Sequence, residues 1–177
     1  IFGGPEVSYD AEKLLNSNPF IDNVILNEGE EVFVNYLEEI NHDKIIDGQI
    51  FKDFSKQGIQ YRACESMTGN IAYYESSRGC PFNCKYCLSS TIKGVRFLNV
   101  ERVKKELEFL ITKNISLIKF VDRTFNCNHE FTVELWKFII DLDTDITFHF
   151  EISADVLTSD EIELLQKAPK GRIQLEV

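Results

Sequence analysis

Basic residues are scarce in this chain of 177 residues. Its 19 Lys and Arg face 29 Asp and Glu, for a formal net charge of −10. Binding to duplex nucleic acid rests on neutralising phosphates with cations, so the deficit argues against nucleic acid as a partner. Long apolar runs are missing too. None reaches the roughly 18 residues that suggest a membrane span, and no charged-then-apolar segment opens the sequence. The expectation is a cytoplasmic protein without a membrane partner. Glycine is sparse, at 9 residues, and 44% hydrophobic with 27% charged residues is the composition of a folded chain. There is no short internal repeat and no low-complexity tract. His42, His129 and His149 show no metal-ligand spacing. Paired cysteines are lacking as well. The five cysteines are Cys64, Cys80, Cys84, Cys87 and Cys127, an odd number with three packed close together. That is a poor disulfide framework, and in a reducing compartment it reads as metal ligation.

The order of apolar segments specifies an α/β fold. Ile1-Phe2-Gly3-Gly4-Pro5 reads as a buried strand ending in a glycine turn, Tyr9 to Asn16 as a short helix, and Val24-Ile25-Leu26 as a parallel strand. Val32, Phe33, Tyr36, Leu37 and Ile40 fall at helical spacing. Strand, turn and helix repeated in this way are the grammar of a doubly wound sheet. Residues 42–69 carry weak periodicity and are expected to form a linker, with a small hairpin around Ile45 to Phe54. From residue 70 onward four strands are predicted: Ile71 to Glu75, Leu117 to Val121, Ile146 to Ile152 and Ile173 to Val177. Helices over Val100 to Lys113, Phe131 to Asp141 and Ser159 to Lys167 alternate with them. Strands separated by helical crossovers predict a parallel sheet or an open barrel. The first residue is not Met and the last strand has barely begun, so a fragment of a longer protein is expected.

The loop after the first of these four strands carries the chemistry. It reads Arg78-Gly79-Cys80-Pro81-Phe82-Asn83-Cys84-Lys85-Tyr86-Cys87, a Cys-x3-Cys-x2-Cys spacing. Three thiolates from one short loop can hold three irons of a cubane and leave the fourth open to a chelating ligand. A closed electron-transfer cluster would want a fourth cysteine, for which Cys64 and Cys127 are the candidates. A structural zinc site would want a second ligand pair, which the loop does not supply. Arg78, Lys85, Lys93 and Arg96 bring positive charge to the same neighbourhood. Ligands of parallel α/β sheets gather at the carboxyl ends of strands. That rule selects Asp122, Arg123, Thr124 and Asn126 after the second strand, Glu151 and Ser153 near the end of the third, and Glu176 in the fourth.

The cysteine string, with Tyr86 before the last cysteine, resembles the signature of the radical S-adenosylmethionine superfamily. Its flanks resemble the branch with an N-terminal cobalamin-binding domain, as do Gly3-Gly4-Pro5-Glu6 and Asn27-Glu28-Gly29-Glu30. The resemblance implies three parts. Residues 1–41 would be the C-terminal end of a Rossmann-like cobalamin-binding domain. A linker would occupy 42–69, and 70–177 would form the first part of a partial (β/α)6 barrel. It implies a 4Fe–4S cluster on Cys80, Cys84 and Cys87, S-adenosylmethionine as cosubstrate, and cobalamin bound by the full-length protein through elements that include Gly3 and Gly4. It also implies a small-molecule substrate and an external electron donor of the flavodoxin or ferredoxin type. Tyr86 would contact adenine. Relatives carry a Gly-Gly-Glu segment after the second strand, where this chain has Asp122-Arg123-Thr124-Phe125-Asn126. The methionyl amine would then fall to Asp122 or a backbone carbonyl. Glu151 is the side chain expected at the ribose or the amine, or else a structural carboxylate paired with Arg123 or Arg78. The alternative to radical chemistry is an iron–sulfur electron-transfer or structural metal-binding module.

Overall fold

The computed structural model describes residues 1–40, 42–48, 50, 55, 69–91 and 94–177. Cys64 and Lys93 lie outside them. The chain divides into two compact units, Ile1–Asp53 and Phe54–Val177.

The first unit is a three-stranded parallel sheet in the order β1 (Phe2–Gly3), β2 (Val24–Leu26), β3 (Ile45–Asp47). The predicted helix over Tyr9 to Asn16 is α2 (Ala11–Ser17), and a further short helix, α1 (Pro5–Ser8), precedes it. Pro5 suits the first turn of α1, where its missing N–H is no loss. Between β2 and β3 runs α3 (Glu30–Leu37). The third strand corrects the sequence reading, which placed Ile45 to Asp47 in a linker hairpin. The segment pairs instead in parallel with β2, Val24 opposite Ile45 and Leu26 opposite Asp47. Its approach is held by Asn23, whose side-chain amide donates to the carbonyls of His42 (3.2 Å) and Asp43 (2.9 Å). Three residues are too few for periodicity to reveal a strand; its partner decides.

In the second unit four parallel strands stand in the order β4 (Ile71–Tyr74), β7 (Leu117–Phe120), β8 (Thr147–Glu151), β9 (Ile173–Glu176). All four fall where the hydrophobic pattern predicts them. The connections contain α4 (Val100–Ile111), α5 (His129–Asp141) and α6 (Ser159–Leu165). Alternation decides which face is covered. Ala72, Tyr74, Ile118, Phe120, Phe148 and Phe150 are buried in one cluster with Val103, Leu107 and Leu110 of α4, Leu135, Trp136 and Ile139 of α5, and Leu164 of α6. Rings dominate its centre: Phe120 and Phe150 lie 4.5 Å apart, Phe125 and Phe150 4.4 Å, and Tyr74 meets Phe120 edge-on at 5.4 Å. Such pairs contribute beyond the area they bury. The opposite face carries Tyr73, Lys119, His149, Glu151, Gln174 and Glu176. Helix starts are capped from within the sequence. Asn99 accepts from the amides of Glu101 (3.0 Å) and Arg102 (3.4 Å), Asn128 accepts from Phe131, and Thr158 forms a capping box with Glu161.

One element was invisible to periodicity. The cysteine segment opens and closes as an antiparallel ribbon, β5 (Ser77–Cys80) with β6 (Gly94–Phe97). Gly79 has φ of 111°, and a side-chain carbon there would land on the carbonyl oxygen of Gly94 across the ribbon. Only glycine meets both demands.

Candidate functional site

Because β4, β7, β8 and β9 are parallel, their carboxyl ends lie at one edge of the sheet, and the residues selected by sequence gather there. The cysteine ribbon leaves from β4. Asp122 follows β7, Glu151 closes β8 with Ser153 beyond it, and Glu176 closes β9.

Asp122 roots the ribbon. Its carboxylate is buried, with 1% exposure. It accepts from the Ser76 amide (3.1 Å), the Ser76 hydroxyl (2.7 Å) and the Ser77 hydroxyl (2.5 Å). Burial pushes its carboxyl up to about 6, against the pull of those three donors. The side chain is therefore turned to β5 and its approach. Its neighbours are fixed as firmly. Phe125 enters the aromatic core, and the Asn126 side chain both donates to the Ser153 carbonyl and accepts from the Ser153 amide, each at 2.9 Å. The Ser153 hydroxyl donates to Asp155. Thr124 is 5% exposed, with its hydroxyl 3.7 Å from the Cys80 sulfur.

Arg78 is gripped by Glu75 through Nε–Oε1 (2.9 Å) and Nη2–Oε2 (2.6 Å), a bidentate pair that orients the guanidinium beside the loop. Glu151 pairs with neither Arg78 nor Arg123. Its partner is Lys119, whose Nζ lies 3.7 Å from Glu151 and 3.5 Å from Glu176. Glu176 also meets His149 Nε2 at 3.3 Å. Lys119 and His149 escaped the sequence reading because they stand a rung below the strand ends. The alternation of Lys119 with Ile118 and Phe120 was the available signal. Tyr86 projects from the loop at 92% exposure. Gly3 ends β1 beside Ile25, and Gly4 takes φ of 103° in open space, which suits a backbone approached by a ligand.

Cys80, Cys84, Cys87 and Cys127 are partly buried, and none is in a disulfide. A tight turn joins two of them, the Cys87 amide donating to the Cys84 carbonyl at 3.1 Å. Burial pushes the Cys127 thiol up to about 11. Among the described residues no three His, Cys, Asp or Glu side chains are grouped tightly enough to hold a metal ion. Three soft donors on one loop suit iron–sulfur ligation by chemistry.

The family model described as the radical SAM superfamily matches residues 74–177. The chain belongs to that superfamily. It is 28% identical over 162 residues to an uncharacterized methyltransferase of Pyrococcus horikoshii, covering 76% of this chain and 35% of the relative. Among solved structures, the apo, selenomethionine-labelled cobalamin-dependent S-adenosylmethionine radical enzyme OxsB matches with a TM-score of 0.59 at 16% identity. That match covers 86% of this chain and 27% of OxsB, and it establishes a shared fold. The matches thus span about a third of the methyltransferase relative and about a quarter of OxsB. Within that fold, the four parallel strands form part of the (β/α) barrel of this radical SAM protein. Among the described residues no helix is long and apolar enough to cross a membrane.

Proposed function

We propose that this chain is the cluster-binding part of an enzyme that cleaves S-adenosylmethionine reductively, with Cys80, Cys84 and Cys87 as the ligands of a 4Fe–4S cluster. The supporting observation is the three-cysteine loop at the carboxyl edge of a parallel sheet in a chain of this superfamily. When bound, such a cluster supplies the electron that splits S-adenosylmethionine into methionine and a 5′-deoxyadenosyl radical. The chain's own residues bind and orient. Asp122 fixes the strand that leads to the first thiol. Glu151 and Glu176, braced by Lys119, face the uncovered side of the sheet, where carboxylates suit ribose hydroxyls or a methionyl ammonium. Tyr86, exposed on the loop, would contact the adenine ring.

The test is anaerobic reconstitution with iron and sulfide. Cys80→Ala, Cys84→Ala and Cys87→Ala should each abolish iron retention, whereas Cys127→Ala should not. The cluster spectrum should change on adding S-adenosylmethionine, which separates an open iron from a closed electron-transfer cluster. Full iron content in Cys84→Ala, or stoichiometric zinc in the native protein, overturns the reading. Glu151→Gln should weaken cofactor binding by about 1–3 kcal/mol while leaving iron content unchanged. Equal affinity would return Glu151 to a structural ion pair.

The longer protein would couple this chemistry to cobalamin, in methyl transfer to carbon or in an oxidative cyclisation. It would act on a small-molecule substrate, with electrons from a flavodoxin- or ferredoxin-type donor. The first unit supplies a three-stranded parallel sheet with Gly3 and Gly4 at a strand end. Neither Gly3-Gly4-Pro5-Glu6 nor Asn27-Glu28-Gly29-Glu30 contains a histidine to bind cobalt. Hydroxocobalamin should therefore be retained by the longer protein and not by residues 1–177. Retention by 1–177 would show the binding unit to be complete here.

A further inference from the structure

The segment after β7 touches β5 at both of its ends. Asp122 holds its start through Ser76 and Ser77. Thr124 reaches its end, where the hydroxyl stands 3.7 Å from Cys80 Sγ, within range of an O–H···S hydrogen bond. The turn is not free to adjust. Asp122, Thr124, Phe125 and Asn126 are all buried. Phe125 is locked between Phe120 and Phe150, and Asn126 is bonded twice to the backbone of Ser153. A hydroxyl held this way needs little reorganisation to meet charge on the sulfur beside it.

The identity of the donor follows from chemistry. With Cys80 as a thiol, either group can donate. A metal-bound cysteine is a thiolate and has no proton to give, so the Thr124 hydroxyl must be the donor. Hydrogen bonds to ligand sulfurs favour the more negative, reduced state of an iron–sulfur centre and so raise its potential. We propose that Thr124 is a positioning residue for Cys80, donating a hydrogen bond to its sulfur and thereby setting the potential at which the loop's cluster accepts an electron. The inference rests on the cluster assignment above and adds to it a residue outside the cysteine motif.

The experiment uses the reconstituted protein in three forms: wild type, Thr124→Val and Thr124→Ser. Valine keeps the shape and removes the hydroxyl, and serine restores it. Iron and sulfide content is measured first, then the midpoint potential by a mediated dithionite titration followed by electron paramagnetic resonance. Thr124→Val should keep the wild-type iron content with its midpoint shifted to more negative potential, and Thr124→Ser should return towards wild type. A residue that only packs would leave the midpoint unmoved. Equal midpoints in wild type and Thr124→Val overturn the proposal while the cluster assignment stands. Failure of the wild-type protein to retain iron overturns both. If Thr124→Val loses iron, Thr124→Ala provides the second measurement. It removes the hydroxyl without placing a branched apolar side chain in the buried turn, and should keep iron with the midpoint shifted to more negative potential. A Thr124→Ala midpoint equal to wild type, or loss of iron in Thr124→Ala and Thr124→Ser alike, would make Thr124 a packing residue and overturn the proposal.

Discussion

The two units of this chain solve the same folding problem with very different means. Phe54–Val177 buries a continuous core of rings and branched side chains beneath four strands. Ile1–Asp53 gathers a small cluster of Ala11, Ile21 and Val24, and leaves Phe20, Leu37 and Ile40 largely exposed. Its α3 contributes no buried residue. Stability rises with apolar area removed from water, so the unit that carries the cysteines is the more stable one. The cysteine ribbon leaves a sheet whose platform is the aromatic layer behind β7 and β8.

The comparison can be broken most directly at its strongest point. Trp136 is the single tryptophan and lies in the second core, so its fluorescence reports that unit alone. Phe120→Ala should cost about 3–5 kcal/mol in urea unfolding followed by this signal. A loss below about 1 kcal/mol would show that the ring cluster is not what holds the platform.

A somewhat smaller effect is expected from pH. The folded chain holds the Asp122 carboxyl at about 6 against its ordinary 3.8. It therefore takes up a proton between those values before the unfolded chain does. The stability linked to this group is complete below about pH 4 and is lost as the pH rises through 6, by on the order of 3 kcal/mol. Asp122→Asn cannot titrate. Lowering the pH from 7.5 to 4.5 should raise the wild-type urea midpoint relative to this variant. Parallel pH profiles would mean the carboxyl titrates normally.

Helix caps should register more weakly. Asn99→Ala removes the acceptor for two amides of α4 and should cost about 1 kcal/mol by the same measurement. The smallest effect belongs to the first unit. Phe20 is 75% exposed, so Phe20→Ser should change stability by less than about 0.5 kcal/mol, read by circular dichroism. A large loss there would reveal a core in Ile1–Asp53 that rivals the second and would erase the contrast.

The sequence alone determined the four parallel strands and the three α-helices of the second unit, because their apolar pattern is plain and each helix carries its own cap. It also supplied the proposed ligand set, since the spacing of Cys80, Cys84 and Cys87 is a property of the chain and not of its folding. Other features depended on pairing across sequence distance. Ile45–Asp47 became a strand because β2 offered it a partner. The cysteine segment became a ribbon because Gly79 lets two backbones approach. Asp122, read from sequence as a contact for the methionyl amine, is held by Ser76 and Ser77, 46 and 45 residues away. Glu151 found Lys119 in place of an arginine. Local pattern encodes which face of an element is apolar. Which polar groups meet at a strand end is set by register, and register exists only once the sheet has formed.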